Sequence, residues 1–163
     1  MCLVPDHELQ SMMEIGKLRI IDFSLEGLTP NGYDLRVAEV KIAQTDEMHK
    51  SGTVVLPPQA MFYVSTIERV ELPDDVAAQL WTRTSWIRKG LLVGLGKVDA
   101  GFHGTLTFMG FNASSQQVEL PIGSRFVQIV FEYMHSPVER TYEKRSGNYQ
   151  GQKGITLGPG HKP

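Results

Sequence analysis

The sequence predicts a mainly β protein, a distorted β-barrel or jelly-roll-like domain with a few short helices. The chain has 163 residues, which is close to the size of one domain. Sixteen glycines and nine prolines are spread along it, and between them lie short runs rich in Val, Ile, Leu, Phe and Thr. Many short strands separated by turn residues are typical of sandwiches and barrels. No glycine-rich nucleotide loop or alternation of strands with helices is seen, which argues against a doubly wound sheet.

Nine segments have the composition of strands. In the last of them, Val127, Ile129 and Phe131 share one face of a strand, while Gln128 and Glu132 share the other, so the apolar positions have a period of two. The predicted strands are residues 18–21, 34–42, 53–56, 61–65, 69–72, 91–95, 105–111, 117–120 and 125–132.

Helices are expected to be few and short. We predict one from a cap at Asp6 to Gly16, one capped by Asp74, and one or two turns capped by Thr84 or Ser85. Residues 1–139 then form the barrel. Residues 140–163 hold five Lys or Arg, one acid, five Gly and two Pro, too little apolar surface to bury, so we expect a flexible lid or tail of the same domain.

Composition and charge exclude several classes of protein. The formal net charge is −2, which argues against a strongly basic nucleic-acid binder. Cys2 is the single cysteine, so intrachain disulfides, four-cysteine zinc sites and CxxC redox chemistry are excluded. Apolar runs are far shorter than the ~20 residues that span a bilayer, and the N-terminal residues do not resemble a signal peptide. We therefore expect a cytoplasmic protein that binds neither membranes nor nucleic acid.

Two segments in the first half of the chain could contact an anionic ligand. Residues 31–35 read Asn-Gly-Tyr-Asp-Leu, so Asp34 would lie at the mouth of a strand beside a sheet edge; a solvated aspartate after a common turn is the alternative. Residues 83–90 read Arg-Thr-Ser-Trp-Ile-Arg-Lys-Gly. Hydroxyls, free N–H groups and guanidinium groups at a helix start suit oxyanions, although a capped helix with a solvated basic face is equally consistent.

Two further segments suggest a binding loop and a closing tail. Residues 97–104 place Asp99 before Gly-Phe-His-Gly, a hairpin tip where the backbone can approach a flat ligand and Phe102 can pack on a sugar or base. An ordinary hairpin is the alternative. Residues 145–154 are basic and glycine-rich, with a Tyr and two Gln, and can fold over an anionic ligand or remain disordered. The histidines lack the spacing of a zinc site.

Taken in order, these segments resemble the dCTP deaminase/dUTPase superfamily, and most closely its archaeal-type dUTPase branch. The resembling segments, which together span most of the chain, are residues 32–35, 83–90, 98–104, 125–132 and 148–154. The resemblance implies a barrel subunit, a homotrimer with sites between subunits, and a deoxyuridine triphosphate or related pyrimidine deoxynucleotide as ligand, with Mg²⁺ carried on the triphosphate.

The resemblance also implies roles for individual residues. Asp99 would serve the attacking water, Arg88 near the phosphates would be a second catalytic residue, and Asp34 would hold Mg²⁺ through water. The implied substrate-binding residues are Arg83, Thr84, Ser85, Phe102, Tyr142, Arg145, Tyr149, Gln152 and Lys153.

The choice of reaction depends on one strand. Deaminases of the superfamily carry a Glu where this chain has Met109, and a thioether cannot shuttle protons. The segment before Asp99 is about two residues shorter than in the deaminases, and Asn148 replaces their usual Lys. The expected function is therefore a dUTP diphosphatase, a hydrolase that forms dUMP and pyrophosphate. The alternatives are a dCTP deaminase and a non-catalytic protein that senses deoxynucleotides.

Overall fold

Antiparallel strands form a curled sheet that wraps around the apolar core. The computed structural model describes residues 2–158. Its strands are β1 Cys2–Leu3, β2 Arg19–Ile21, β3 Leu28–Thr29, β4 Gly32–Ile42, β5 Met48–His49, β6 Thr53–Leu56, β7 Met61–Thr66, β8 Arg69–Glu71, β9 Val76–Thr82, β10 Leu91–Gly94, β11 Lys97–Val98, β12 His103–Gly104, β13 Thr107–Asn112, β14 Val118–Pro121 and β15 Arg125–Tyr133. Its helices are α1 Asp6–Glu14, α2 Thr84–Ile87 and α3 Tyr142–Arg145, with a 3-10 turn at Leu25–Gly27.

The main sheet has the strand order β10-β13-β7-β4-β15-β9-β11, with β1 beside β15 and with β3 and β5 beside β4. Two smaller sheets, β12-β8-β2 and β14-β6, close over the core. An aromatic cluster lies inside: the ring of Phe126 is 6.4 Å from that of Phe62 and 5.8 Å from that of Trp86, centroid to centroid. Burial of such rings is a large part of the hydrophobic stabilisation.

The mainly β prediction is confirmed. All nine predicted strands are present, with ends that differ by no more than two residues. The period-two pattern of β15 is confirmed in part: Val127, Ile129 and Phe131 are all fully buried. No helix among residues 2–158 has the length and apolar character needed to cross a membrane.

The helix predicted after Asp74 is wrong, because this segment forms β9. Its seven residues pair with β15 on one side, from Val76 opposite Tyr133 to Thr82 opposite Val127, and its middle pairs with β11 on the other. Alanine at 77 and 78 favours a helix locally. Pairing on both sides overrides that preference, since strand formation depends on the neighbours that a strand finds.

Two predicted helix caps are also displaced. Pro5 is the N-cap of α1 and Asp6 is its first residue, while Arg83 is the N-cap of α2, and no side chain caps either helix. The predicted end of α1 is confirmed, because Gly16 adopts φ +70° directly after it. Helix boundaries read from single residues commonly miss by one or two positions.

Candidate active site

Main-chain hydrogen bonds, one within the turn and one to Pro73, fix the turn between β11 and β12. The Phe102 N–H donates to the Asp99 carbonyl at 3.1 Å, and the Gly101 N–H donates to the Pro73 carbonyl at 3.0 Å. Gly101 has φ +81°, and a Cβ there would lie 2.5 Å from the Cβ of Thr141. The glycine is therefore required both by its conformation and by the chain that crosses it.

Residues 141–156, which we call the C-terminal strap, cross this hairpin. The Tyr142 N–H donates to the Ala100 carbonyl at 3.0 Å, and the Tyr142 ring packs edge-on against Phe102 with centroids 5.5 Å apart. Gln150 donates to the Gly101 carbonyl at 2.9 Å, and Gln152 donates to the carbonyl of residue 105 at 2.7 Å. The strap is thus joined to the hairpin mainly through main-chain carbonyl groups of the hairpin. Such groups need hydrogen-bond partners when the strap covers them.

Hairpin and strap enclose a cavity of about 360 Å³, which we call the hairpin cavity. This is the size of a small-molecule site. Its lining residues are Leu80, Gly94, Gly96, Lys97, Val98, Asp99, Phe102, Leu106, Thr107, Phe108, Tyr142, Tyr149, Gln152 and Thr156. The structure thus brings together five of the predicted site residues: Asp99, Phe102, Tyr142, Tyr149 and Gln152.

Asp99 is the one carboxylate among the described residues that line the hairpin cavity. On its other side lies a second cavity of about 430 Å³, where Lys97, Arg140 and Arg145 gather. Predicted residue Arg145 is placed here rather than in the hairpin cavity. The Asp99 carboxylate therefore lies between the hairpin cavity and a cavity lined by three cations.

The arginine-rich segment lies in a different place. Thr29, Asp34, Trp81, Thr82, Arg83, Thr84, Ser85, Ile87 and Gln128 line an open cleft of about 600 Å³, which we call the arginine cleft. Leu80 lines the hairpin cavity and Trp81 lines the arginine cleft. Successive strand residues point to opposite faces, so β9 separates the two. Within one chain, Asp99 and Arg83 therefore line different cavities.

Asp34 holds the guanidinium of the arginine cleft. Its carboxylate is 2.8 Å from Arg83 Nε and 3.7 Å from Arg125 Nη1, with only 5% of the side chain exposed. Burial raises the pKa of Asp34 above its ordinary value, while the charges of Arg83 and Arg125 oppose that rise. The Asp34 carboxylate thus has two positive partners already.

These surroundings do not fit a magnesium ion held by the protein. Among residues 2–158, no group of three or more His, Cys, Asp or Glu side chains is arranged to bind a metal. A hard cation such as Mg²⁺ needs several oxygen ligands, and two guanidinium groups beside Asp34 would repel it. The water-mediated contact from Asp34 to Mg²⁺ stays an untested prediction, and the ion pair indicates instead that Asp34 orients Arg83.

Besides Arg145, two predicted residues line neither the hairpin cavity nor the arginine cleft in the described part of the chain. Arg88 follows α2 with its side chain exposed, and Lys153 is exposed on the strap. Neither side chain lines these two cavities, so contact with a ligand bound there requires a second chain or a movement of the strap.

Met109 lies on β13, with 42% of its surface exposed. Its register partners are Gly94 on β10 and Tyr63 on β7, and it shares a sheet face with Thr107 two residues earlier, since alternate residues of a strand point the same way. The position where the resemblance implies a Glu in deaminases is thus beside the hairpin cavity and is occupied by a thioether.

Three contributors to this region were not predicted. Thr107 and Thr156 line the hairpin cavity, and Glu39, only 8% exposed, accepts a hydrogen bond from the strap at Ile155 N. The one signal in the sequence is a Glu between the apolar residues Ala38 and Val40 of the predicted strand 34–42, because a charge at a buried strand position needs a partner.

Solved structures with the same fold are deaminases and dUTPases. The 2′-deoxycytidine 5′-triphosphate deaminase of Agrobacterium tumefaciens matches 82% of this chain with a TM-score of 0.70 at 19% identity, and this chain spans 48% of that one. A dUTPase mutant of Staphylococcus bacteriophage 80alpha bound to dUpNHpp matches 77% of this chain and 95% of its own, with a TM-score of 0.53 at 22% identity. A mutant dUTPase of phage phi11 of S. aureus, described with a structural Mg(II) ion, matches 79% of this chain and 98% of its own, with a TM-score of 0.54 at 21% identity.

Sequence relatives are closer. A dCTP deaminase of Thermococcus gammatolerans is 40% identical over 157 residues, which cover 95% of both chains. A probable deoxyuridine 5′-triphosphate nucleotidohydrolase of Sulfolobus islandicus rod-shaped virus 1 is 33% identical over 157 residues, which cover 95% of this chain and 97% of its own. The dCTP deaminase-like family model matches residues 3–134. The chain therefore belongs to the dCTP deaminase-like family, an enzyme family within the superfamily of dCTP deaminases and dUTPases.

Proposed function

We propose that the protein hydrolyses dUTP to dUMP and pyrophosphate. The observation that supports this most strongly is the chemistry of the hairpin cavity, in which Asp99 is the one carboxylate among the described lining residues. Deamination needs a group that moves a proton between water and the pyrimidine ring, and Met109 cannot do so. Pyrophosphate release needs one base for water, together with charge and positioning for the phosphates.

The two separate sites become one if a second chain supplies the arginine cleft. The hairpin cavity accepts the nucleoside, with Phe102 against the deoxyribose. The cleft of a neighbouring subunit supplies Arg83, Thr84 and Ser85 to the triphosphate, and Arg88 lies in the same segment. We therefore propose a homotrimer, a closed ring in which one chain's cavity faces the next chain's cleft and the assembly that the resemblance implies.

Further residues of the strap would contact the phosphates. Tyr142, Tyr149 and Gln152 already line the cavity, while Arg145 and Lys153 lie elsewhere on the strap and reach the phosphates when the strap moves. We propose that this strap is a mobile lid that closes over the triphosphate. Mg²⁺ enters with the substrate, bound to the phosphate oxygens, since the described residues offer no cluster of ligands for it.

The bond changes in the proposed reaction balance with these groups alone. The oxygen of a water molecule forms a bond to the α-phosphorus while the bond from that phosphorus to the bridging oxygen breaks. Asp99 takes a proton from the water, and pyrophosphate leaves with its charge neutralised. Guanidinium groups that are already fixed by ion pairs, as Arg83 is by Asp34, stabilise developing charge without first having to reorganise.

Deamination of dCTP to dUTP and ammonia is the second candidate. It is favoured by the names of several relatives, including one that is 40% identical over 95% of both chains. Incubation with Mg²⁺ and either dUTP or dCTP, with pyrophosphate and ammonia measured together, separates the two. We expect pyrophosphate from dUTP and no ammonia from dCTP. Ammonia in proportion to dCTP consumed would show that another group takes the role of the missing Glu.

A third outcome of the same assay is a binding protein without turnover. Tight binding of dUpNHpp combined with no pyrophosphate and no ammonia would mean that the protein senses deoxynucleotides.

The Met109→Leu variant is the matched control for the role of the thioether, because it keeps an apolar side chain of similar volume on β13. We expect this variant to hydrolyse dUTP as the wild type does.

A further inference from the structure

Glu39 is a buried carboxylate that the proposed chemistry does not use. It lies on β4, directly across from Ser65 on β7, and Ser65 lies across from Thr107 on β13. Side chains of directly opposed residues lie next to one another on one face of a sheet. Glu39, Ser65 and Thr107 therefore form a polar row on the sheet face that the strap covers.

The polar row binds the main chain of three consecutive strap residues. The Ile155 N–H donates to Glu39 Oε1 at 2.6 Å. Thr107 Oγ1 donates to the Gly154 carbonyl at 3.2 Å and accepts from the Thr156 N–H at 3.1 Å. Main-chain groups are bound whatever the side chains are, so the row recognises the path of the strap rather than its sequence.

Glu39 is itself held in place. Its Oε1 also accepts from Ser65 Oγ at 3.2 Å, and its Oε2 lies 3.3 Å from Lys50 Nζ. A hydrogen bond from an N–H to an ionised carboxylate is stronger than one to a neutral acceptor. The carboxylate is thus a fixed charged acceptor that faces the strap.

The strap passes so close to Glu39 that only glycine fits at the crossing. Gly154 has φ +62°, and a Cβ on it would lie 2.6 Å from Glu39 Oε1. That conformation disfavours every residue with a Cβ. A Cβ added to Gly158, further along the same segment, would have no other atom within 4 Å, so the constraint is specific to the crossing point.

We propose that Glu39 is a positioning residue that clasps the C-terminal strap in its closed place. Gln152 and Thr156 lie on either side of the clasped residues, and both line the hairpin cavity. Holding 154–156 on the sheet therefore sets where those two side chains meet the ligand. That the ligand is dUTP rests on the proposed function, whereas the clasp itself rests on the contacts of Glu39.

Hydrogen exchange of the Ile155 and Thr156 amides in the ligand-free protein tests the clasp without any assay of activity. We expect exchange to become roughly ten to a hundred times faster in Glu39→Ala and in Gly154→Ala, because a hydrogen bond to a charged group is lost or blocked. Glu39→Gln keeps an acceptor and should be intermediate, and Gly158→Ala should match the wild type.

Kinetics with the substrate give a second measurement. A strap that is closed only part of the time lowers apparent affinity by the fraction closed, so KM should rise by about tenfold in Gly154→Ala while kcat changes less. Gly154 lies outside the barrel core, so this variant keeps the thermal unfolding temperature even if Glu39→Ala does not fold.

Unchanged exchange at Ile155 in both Glu39→Ala and Gly154→Ala would overturn the clasp, as would equal effects of Gly154→Ala and Gly158→Ala. If the wild type releases no pyrophosphate from dUTP, the proposed function fails while the exchange data still decide the clasp. The failures of the two proposals are therefore distinguishable.

Discussion

The hairpin cavity and the arginine cleft are built by different means. Main-chain hydrogen bonds and apolar side chains shape the hairpin cavity, and the strap of the same chain closes it. The arginine cleft is open, and an ion pair between Asp34 and Arg83 organises it. The first suits recognition of a flat nucleoside by shape, and the second suits recognition of phosphate by charge. The nucleotide substrate proposed above needs both, so under that proposal a whole site takes two chains.

The largest expected effect is at the carboxylate of the hairpin cavity. Asp99→Asn keeps the size of the side chain and suits a turn, but it removes the base that serves the water. We expect kcat for pyrophosphate release to fall by about 10²–10⁴-fold, with binding of dUpNHpp largely retained. Asp74→Asn, an exposed aspartate in a turn before β9, is the matched control. Turnover at the wild-type rate in Asp99→Asn would mean that another group activates the water.

Removal of the residues after Arg145 should have the next largest effect. It takes away Tyr149 and Gln152 from the cavity wall and leaves the barrel core untouched. We expect kcat/KM to fall by roughly a hundredfold, because loss of positioning has effects of that size. The oligomer and its unfolding temperature should remain as in the wild type. Full activity in the truncated protein would show that the strap is dispensable.

A smaller effect is expected at the arginine cleft. Arg83→Ala removes one charged contact to phosphate, so kcat/KM should fall by roughly ten- to a hundredfold, and Arg83→Lys should recover little because it lacks the bidentate geometry. Lys89→Ala removes a cation of the same segment that lies over the Trp86 ring, and it should leave kcat/KM unchanged. Equal losses of kcat/KM in Arg83→Ala and Lys89→Ala would indicate that the substrate responds to the overall positive charge of the segment rather than to a specific contact with Arg83.

The smallest effect concerns pH and Asp34. Because burial raises the pKa of Asp34 above 3.8, the unfolded chain loses this proton first as pH rises, which favours unfolding. The stability of the wild type relative to Asp34→Asn should therefore fall as pH rises from about 3.8 through the folded pKa. Thermal unfolding of both proteins across this window measures the difference. A difference that grows with pH would mean that the ion pair outweighs burial.

Sequence reasoning found the sheet better than it found the site. The strands at 53–56 and 125–132 carry their own pattern, whereas β9 depends on neighbours that the local sequence does not reveal. Asp99 and Gln152 stand in recognisable motifs, and the structure brings them into one cavity. Glu39 has no motif, and its partner Ile155 is 116 residues away. A contact of that kind depends on the register of three strands and on the path of the strap.

The central claim is that each site combines the hairpin cavity of one chain with the arginine cleft of another. Mixing two impaired variants, Asp99→Asn and Arg83→Ala, after reversible dissociation tests it most directly. When equal amounts of the two variants mix at random, about a quarter of all interfaces in the population of trimers pair an intact cavity with an intact cleft. We therefore predict recovery of pyrophosphate release to about a quarter of the wild-type rate. No recovery above the unmixed variants, with exchange of subunits confirmed, would contradict the claim.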